Sequence, residues 1–99
     1  MTNPYTFQNF SKYLNTTFQI HYSTESPLDV ELIEIKKLGG DTTNPDRKPF
    51  SLVFYSVDRE NYLIQQIYTF EHPQMGSLDI FIVPLGPDDH GMRYEAIFT

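Results

Sequence analysis

The chain has 99 residues, with thirteen Asp plus Glu against seven Lys plus Arg, a formal net charge of −6, and neither cysteine nor tryptophan. This length holds one domain, and the missing thiols exclude disulfide scaffolds, Cys-ligated zinc, iron–sulfur clusters and thiol catalysis. The acidic balance argues against sequence-independent binding of nucleic acid, and no run approaches the roughly 20 apolar residues of a membrane-spanning helix.

Asn3 and Pro4 supply an N-cap and a first-turn proline. Phe7, Phe10 and Leu14 then recur at i, i+3 and i+7, with Tyr13 beside them. The spacing predicts an amphipathic helix over about residues 4–14, docked as a lid on a sheet or barrel end. The period then changes to two. Phe18, Ile20 and Tyr22 alternate with Thr17, Gln19 and His21, a half-buried strand over 17–22. After a turn at 23–27, a strand over 28–38 carries Leu28, Val30 and Leu32 in one phase and Ile33 and Ile35 in the other. That slip predicts a β-bulge or bend near Leu32–Ile33, because one extra residue swaps the buried face.

Residues 39–49 form the longest loop, dense in turn formers. The strand over 50–56 is apolar on both phases, which places it centrally or between the core and the helix. A polar turn at 57–61 leads to a strand over 62–71, and a connection at 72–77 puts Gly76 where positive φ is needed. The next strand, 78–84, has Leu78, Ile80 and Ile82 in one phase and Phe81 and Val83 in the other. Residues 85–91 read as a turn with Gly91 at positive φ, and the last strand runs over 92–98. The expected fold is one mainly β domain over residues 1–99: about six antiparallel strands in a small bent barrel, split barrel or sandwich, with one short N-terminal helix.

The strings Pro49-Phe50-Ser51-Leu52-Val53-Phe54, His72-Pro73-x-x-Gly76, Ile80-Phe81-x-Val83-Pro84-x-Gly86 and Gly91-x-x-Tyr94-x-Ala96-x-Phe98 occur in that order. Together with the strands around Phe18 and Val30 they resemble a family of small bacterial domains of unknown function, over most of residues 7–98. The resemblance implies a single bacterial domain and brings no catalytic residues with it.

His21, His72 and His90 lie on separate elements without H-x-H or H-x-x-x-H spacing, so no metal site is expected. Asp88-Asp89-His90-Gly91 lacks the alternating oxygen ligands of a calcium loop and reads as a tight turn. Glu31, Glu34 and Glu95 are the candidates for paired carboxylates, yet Glu31 and Glu95 sit on the solvent phase of their strands. No serine stands in a nucleophile elbow, and Gly39-Gly40 is followed by Asp41, which would repel phosphate.

With no reaction and no cofactor written in the chain, the expectation is a non-catalytic interaction or structural module of a bacterial or phage-derived assembly. It would pair with a protein partner or itself through a sheet edge, an aromatic rim or the 39–49 loop. The residues that would form such a surface are Tyr55, Tyr62, Tyr68, His72, Asp88, Asp89 and His90. The alternative is a small-ligand-binding β-barrel with weak catalysis at most, which requires an internal cavity. Neither nucleic acid nor membrane is expected as a partner. The start Met1-Thr2-Asn3-Pro4-Tyr5 lacks a basic n-region and an apolar h-region, so a cytoplasmic location is expected. The charge is uneven: residues 1–49 carry five basic and six acidic groups, residues 50–99 two basic and seven acidic.

Overall fold

The period-two segments become six strands: β1 (Thr17–His21), β2 (Leu28–Lys37), β3 (Phe50–Ser56), β4 (Gln66–His72), β5 (Gly76–Pro87) and β6 (Met92–Phe98), behind a helix α1 (Phe7–Ser11). The computed structural model describes residues 4–23, 26–38, 49–58, 63–89 and 91–98. All strand pairs are antiparallel and close a barrel in the order β1-β2-β3-β6-β5-β4. Two three-stranded meanders, β1–β3 and β4–β6, therefore meet along β3/β6 and β1/β4. Closure resolves the choice between barrel and sandwich, and it removes whole edge strands.

Each meander has a long middle strand that bends and changes partner. β2 pairs β1 through Leu28–Glu31 and β3 from Glu31 on, with a register shift between Leu32 and Glu34. The expected bulge is where the hydrophobic phase slips. β5 pairs β4 as far as Ile82 and β6 from Val83, with a second shift between Pro84 and Gly86. The turn expected at 85–91 thus begins later, because β5 runs on to Pro87. Pro84 and Pro87 lie where β5 is registered on one side only, the place a strand tolerates residues without an N–H.

The interior is filled by inward-facing side chains of all six strands, among them Phe18, Leu32, Phe54, Phe70, Ile80 and Tyr94, all 0–1% exposed. Phe54 sits at the centre, 5.4 Å edge-on to Phe18 and 4.9 Å from Phe70 between ring centroids. β3 is buried on both phases, as its composition requires. Its outward Ser51 and Val53 are small and stand in register between longer neighbours, Lys36 and Ile97 around the first, Glu34 and Glu95 around the second.

α1 closes one barrel end, with Phe10 fully buried 6.1 Å from Phe50 and 5.7 Å from Phe98. The helix is much shorter than the 4–14 span its spacing suggests. Thr6, extended at φ −123° and ψ 155°, is the N-cap, and its hydroxyl accepts the Asn9 N–H at 3.1 Å. Asn3, the cap read from sequence, lies outside the described residues. The helix ends at Ser11 with Lys12 as C-cap, and tight turns follow until Asn15 turns into the left-handed region (φ 67°), its N–H bonding the Leu32 carbonyl of β2 at 2.6 Å. Leu14, expected in the buried stripe, is consequently exposed.

At the opposite end the chain entering β4 is tied from inside the barrel. Leu63 N–H donates to the Tyr94 hydroxyl (2.9 Å), and the Tyr68 hydroxyl donates to the Ile64 carbonyl (3.0 Å). These bonds take residues 63 and 64 out of the ladder, so β4 starts at Gln66 rather than at 62. The β4–β5 hairpin turns through Pro73–Met75 and closes on Gly76 at φ 79°, the left-handed position read from sequence. Gly91 has a different reason from the one expected. It has no positive φ, but a Cβ there would run into the Ser56 carbonyl oxygen, so the site is glycine because two backbones touch.

Candidate functional site

The residues grouped from sequence as one surface separate to the two sides of the barrel wall. Tyr68, 8% exposed, and His72, 4% exposed, face the interior and present almost none of their side chains to the outer surface. Tyr55 is half-buried on the outer wall, in register with Glu31 of β2 and Arg93 of β6. Asp88 is joined to that row: its Oδ2 is 3.3 Å from Arg93 Nε, while its Oδ1 accepts the Gly91 N–H at 2.9 Å. Asp89 is exposed beside it. Tyr62 and His90 lie outside the described residues, as does the loop 39–48. The shared tyrosine rim is therefore not formed by Tyr55 and Tyr68.

The inward polar groups have structural employment. The Thr16 hydroxyl donates to the Tyr13 carbonyl and so accepts from His72 Nε2–H at 3.1 Å. His72 Nδ1 accepts the N–H groups of Gln74 and Met75 at 3.1 and 3.3 Å, which leaves the imidazole neutral with its proton on Nε2. Its ring lies 4.7 Å from Tyr13 and 4.5 Å from Phe18. One side chain thus joins the segment after α1, β1 and the β4–β5 hairpin. Burial lowers the His72 pKa from the usual imidazole value. Burial likewise raises the phenols of Tyr68 and Tyr94, against the opposing effect of their bonds to Ile64 and Leu63.

Other candidates stay apart. His21 is exposed, 3.4 Å from Glu71 across the β1/β4 seam, and no group of three metal-ligating side chains converges among the described residues. Glu31 and Glu34 are exposed and Glu95 is half-buried, all three outside the barrel. A half-open groove of about 500 Å³ runs along the β1/β4 seam past Thr17, Gln19, Glu71 and Gly76. His72 borders it with both ring nitrogens already bonded. The helix among the described residues is too short and polar to cross a membrane.

What sequence reading missed is the outer face of the second meander. Ile67, Phe81 and Ile97 are 61%, 48% and 55% exposed, although each lies in the middle of, or one residue inside, a regular strand. Ile67 and Phe81 are register partners. Phe81 and Ile97 each stand two residues beyond the last β5/β6 register pair, Val83↔Glu95, on the outward phase of their strands. The signal was present in the two-phase apolar pattern of residues 78–84; only the barrel decides which phase faces water.

A family model described as a domain of unknown function matches residues 5–98. No curated protein and no solved structure gave a match.

Proposed function

The chain belongs to DUF6916, a family of domains of unknown function, and we propose that it is a non-catalytic protein-interaction module that binds through its outer wall. The observation that carries this reading is the coexistence of a filled interior with three large apolar side chains, Ile67, Phe81 and Ile97, exposed on one outer face. Ile67 and Phe81 are register partners and Ile97 points outward from β6, on the other side of β5, and exposed apolar residues gathered on one wall, rather than scattered singly, favour a contact surface. Among the described residues, His72, Tyr68 and Tyr94 are the inward titratable groups, and each is committed to a backbone or hydroxyl partner. That supports a structural rather than a chemical use of the interior. The packed core also weighs against the alternative of a ligand held inside the barrel, since a six-stranded barrel has little room beyond its own side chains.

The test is a photoreactive benzoylphenylalanine placed at Phe81 in cells that naturally contain the protein. A discrete adduct with one protein is expected from that position, and none from Val57, which is 79% exposed at the other barrel end. A barrel that gives no adduct from Phe81 or Ile97, and carries a small molecule through purification, would refute the proposal.

A further inference from the structure

The outer face of the β4–β6 meander has a chemistry that selects among occupants. Its apolar centre is the group Ile67, Phe81 and Ile97. Around that centre, the outward positions one register step away hold carboxylates: Asp79 on β5, two residues before Phe81, and Glu95 on β6, two residues before Ile97. Glu71 on β4 extends the acidic border, while Asp88 and Asp89 lie farther off at the β5–β6 connection, beyond the end of β5. Within this border Asp79 Oδ1 accepts from the Thr69 hydroxyl at 3.0 Å, Glu71 stands 3.4 Å from His21, and Asp88 holds Arg93 at 3.3 Å. On the far side of Ile97, across Ser51, Lys36 stands in the same register row, so carboxylates outnumber cations around the apolar centre without being alone there.

Resting on the outer-wall reading above, we infer that the occupant of this face is a polypeptide segment that presents apolar side chains flanked by Lys or Arg. An uncharged apolar partner would take water from the Asp79 and Glu95 carboxylates without supplying a charge to meet them, a cost set against the apolar contact. A second copy of this chain would set its own Asp79 and Glu95 against the same carboxylates. Anionic lipid and nucleic acid are repelled for the same reason. A cationic, apolar segment buries the three hydrophobic side chains while its ammonium or guanidinium groups meet the border carboxylates. Charge then governs the approach and the choice of partner, and the apolar centre governs residence.

Three length-matched synthetic peptides test this, alternating Leu with Lys, Leu with Glu, and Ser with Lys, titrated into the 15N-labelled protein. The Leu/Lys peptide is expected to shift the amides around Ile67, Phe81 and Ile97, and to bind at least about tenfold more tightly than either control. Phe81→Ser with Ile97→Ser should weaken it by about tenfold or more, the range of interface anchors. Asp79→Asn with Glu95→Gln should erase most of the salt dependence of binding and the advantage over Leu/Glu. Equal binding of Leu/Lys and Leu/Glu, equal binding of Leu/Lys and Ser/Lys, or shifts at another face would each overturn the inference. So would the same amides shifting with protein concentration alone, or with phosphatidylcholine vesicles, since these identify a second copy or a lipid surface as the occupant. If the peptides fail while benzoylphenylalanine at Phe81 still captures one protein, the partner chemistry is wrong and the outer-wall reading stands. Failure of both experiments removes both.

Discussion

Phe54 is the side chain whose removal tests the barrel most directly. It is fully buried on the central inward row of β3, in register with Leu32 on β2 and Tyr94 on β6. Truncating a buried Phe to Ala costs about 3–5 kcal/mol through lost transfer energy and the cavity left behind. Two ring neighbours, Phe18 at 5.4 Å and Phe70 at 4.9 Å, lose their partner as well. Because such pairs contribute about 0.5–1.5 kcal/mol beyond burial, Phe54→Ala belongs in the upper half of that range, near 4 kcal/mol. A domain of this size has about 5–15 kcal/mol in total, so the variant is marginal but measurable by urea unfolding followed by circular dichroism. With a slope of about 1.5 kcal/mol/M, the midpoint should fall by roughly 2.5 M. Phe54→Leu, which keeps most of the volume, should lose no more than about 1.5 kcal/mol and covers the case in which Phe54→Ala does not fold. A loss under about 1 kcal/mol for Phe54→Ala would refute the packing described at the barrel centre.

Tyr94→Phe removes the acceptor for the buried Leu63 N–H and should cost about 1–3 kcal/mol. Tyr22→Phe on the exposed surface should stay within about 0.5 kcal/mol, and equal effects would dismiss the interior tie. Gly91→Ala forces a methyl into the Ser56 carbonyl and should cost at least about 1–3 kcal/mol, with altered amide shifts at the β3 end. Gly76→Ala meets open space and should cost only the left-handed backbone penalty of about 1–2 kcal/mol, leaving β3 undisturbed. Because burial lowers the His72 pKa, the folded state binds fewer protons than the unfolded chain between its own pKa and the unfolded value. The His72 contribution to stability is complete above about pH 6.5 and is lost as pH falls from there to the folded pKa. His72→Phe should flatten that part of the urea-midpoint profile; an unchanged slope would show that His72 does not titrate as its burial demands.

Strand order along the chain, the bulge at Leu32 and the left-handed Gly76 were all legible, because each follows from period, phase or local backbone sterics. The boundaries that came out differently are the ones set by distant partners. The turns after α1 are closed where β2 takes the Asn15 N–H, and β4 waits until Tyr94 and Tyr68 have released the chain. β5 runs past Pro84 to Pro87 because β6 still pairs it where β4 no longer does. The candidate surface was legible only in part: Tyr55 and Asp88 do lie along one outer row through Arg93, whereas Tyr68 and His72 turned inward.

Composition and alternation by themselves determined a small, cysteine-free, acidic β domain with enough aromatics for a filled core. They also set the acidic excess in the second half, since charge counts need no coordinates. Only the tertiary structure decided which phase of each doubly apolar strand faces water. Period two labels two faces but cannot rank them; barrel closure ranks them by putting Leu78, Ile80 and Ile82 inside and leaving Phe81 out beside Ile67 and Ile97.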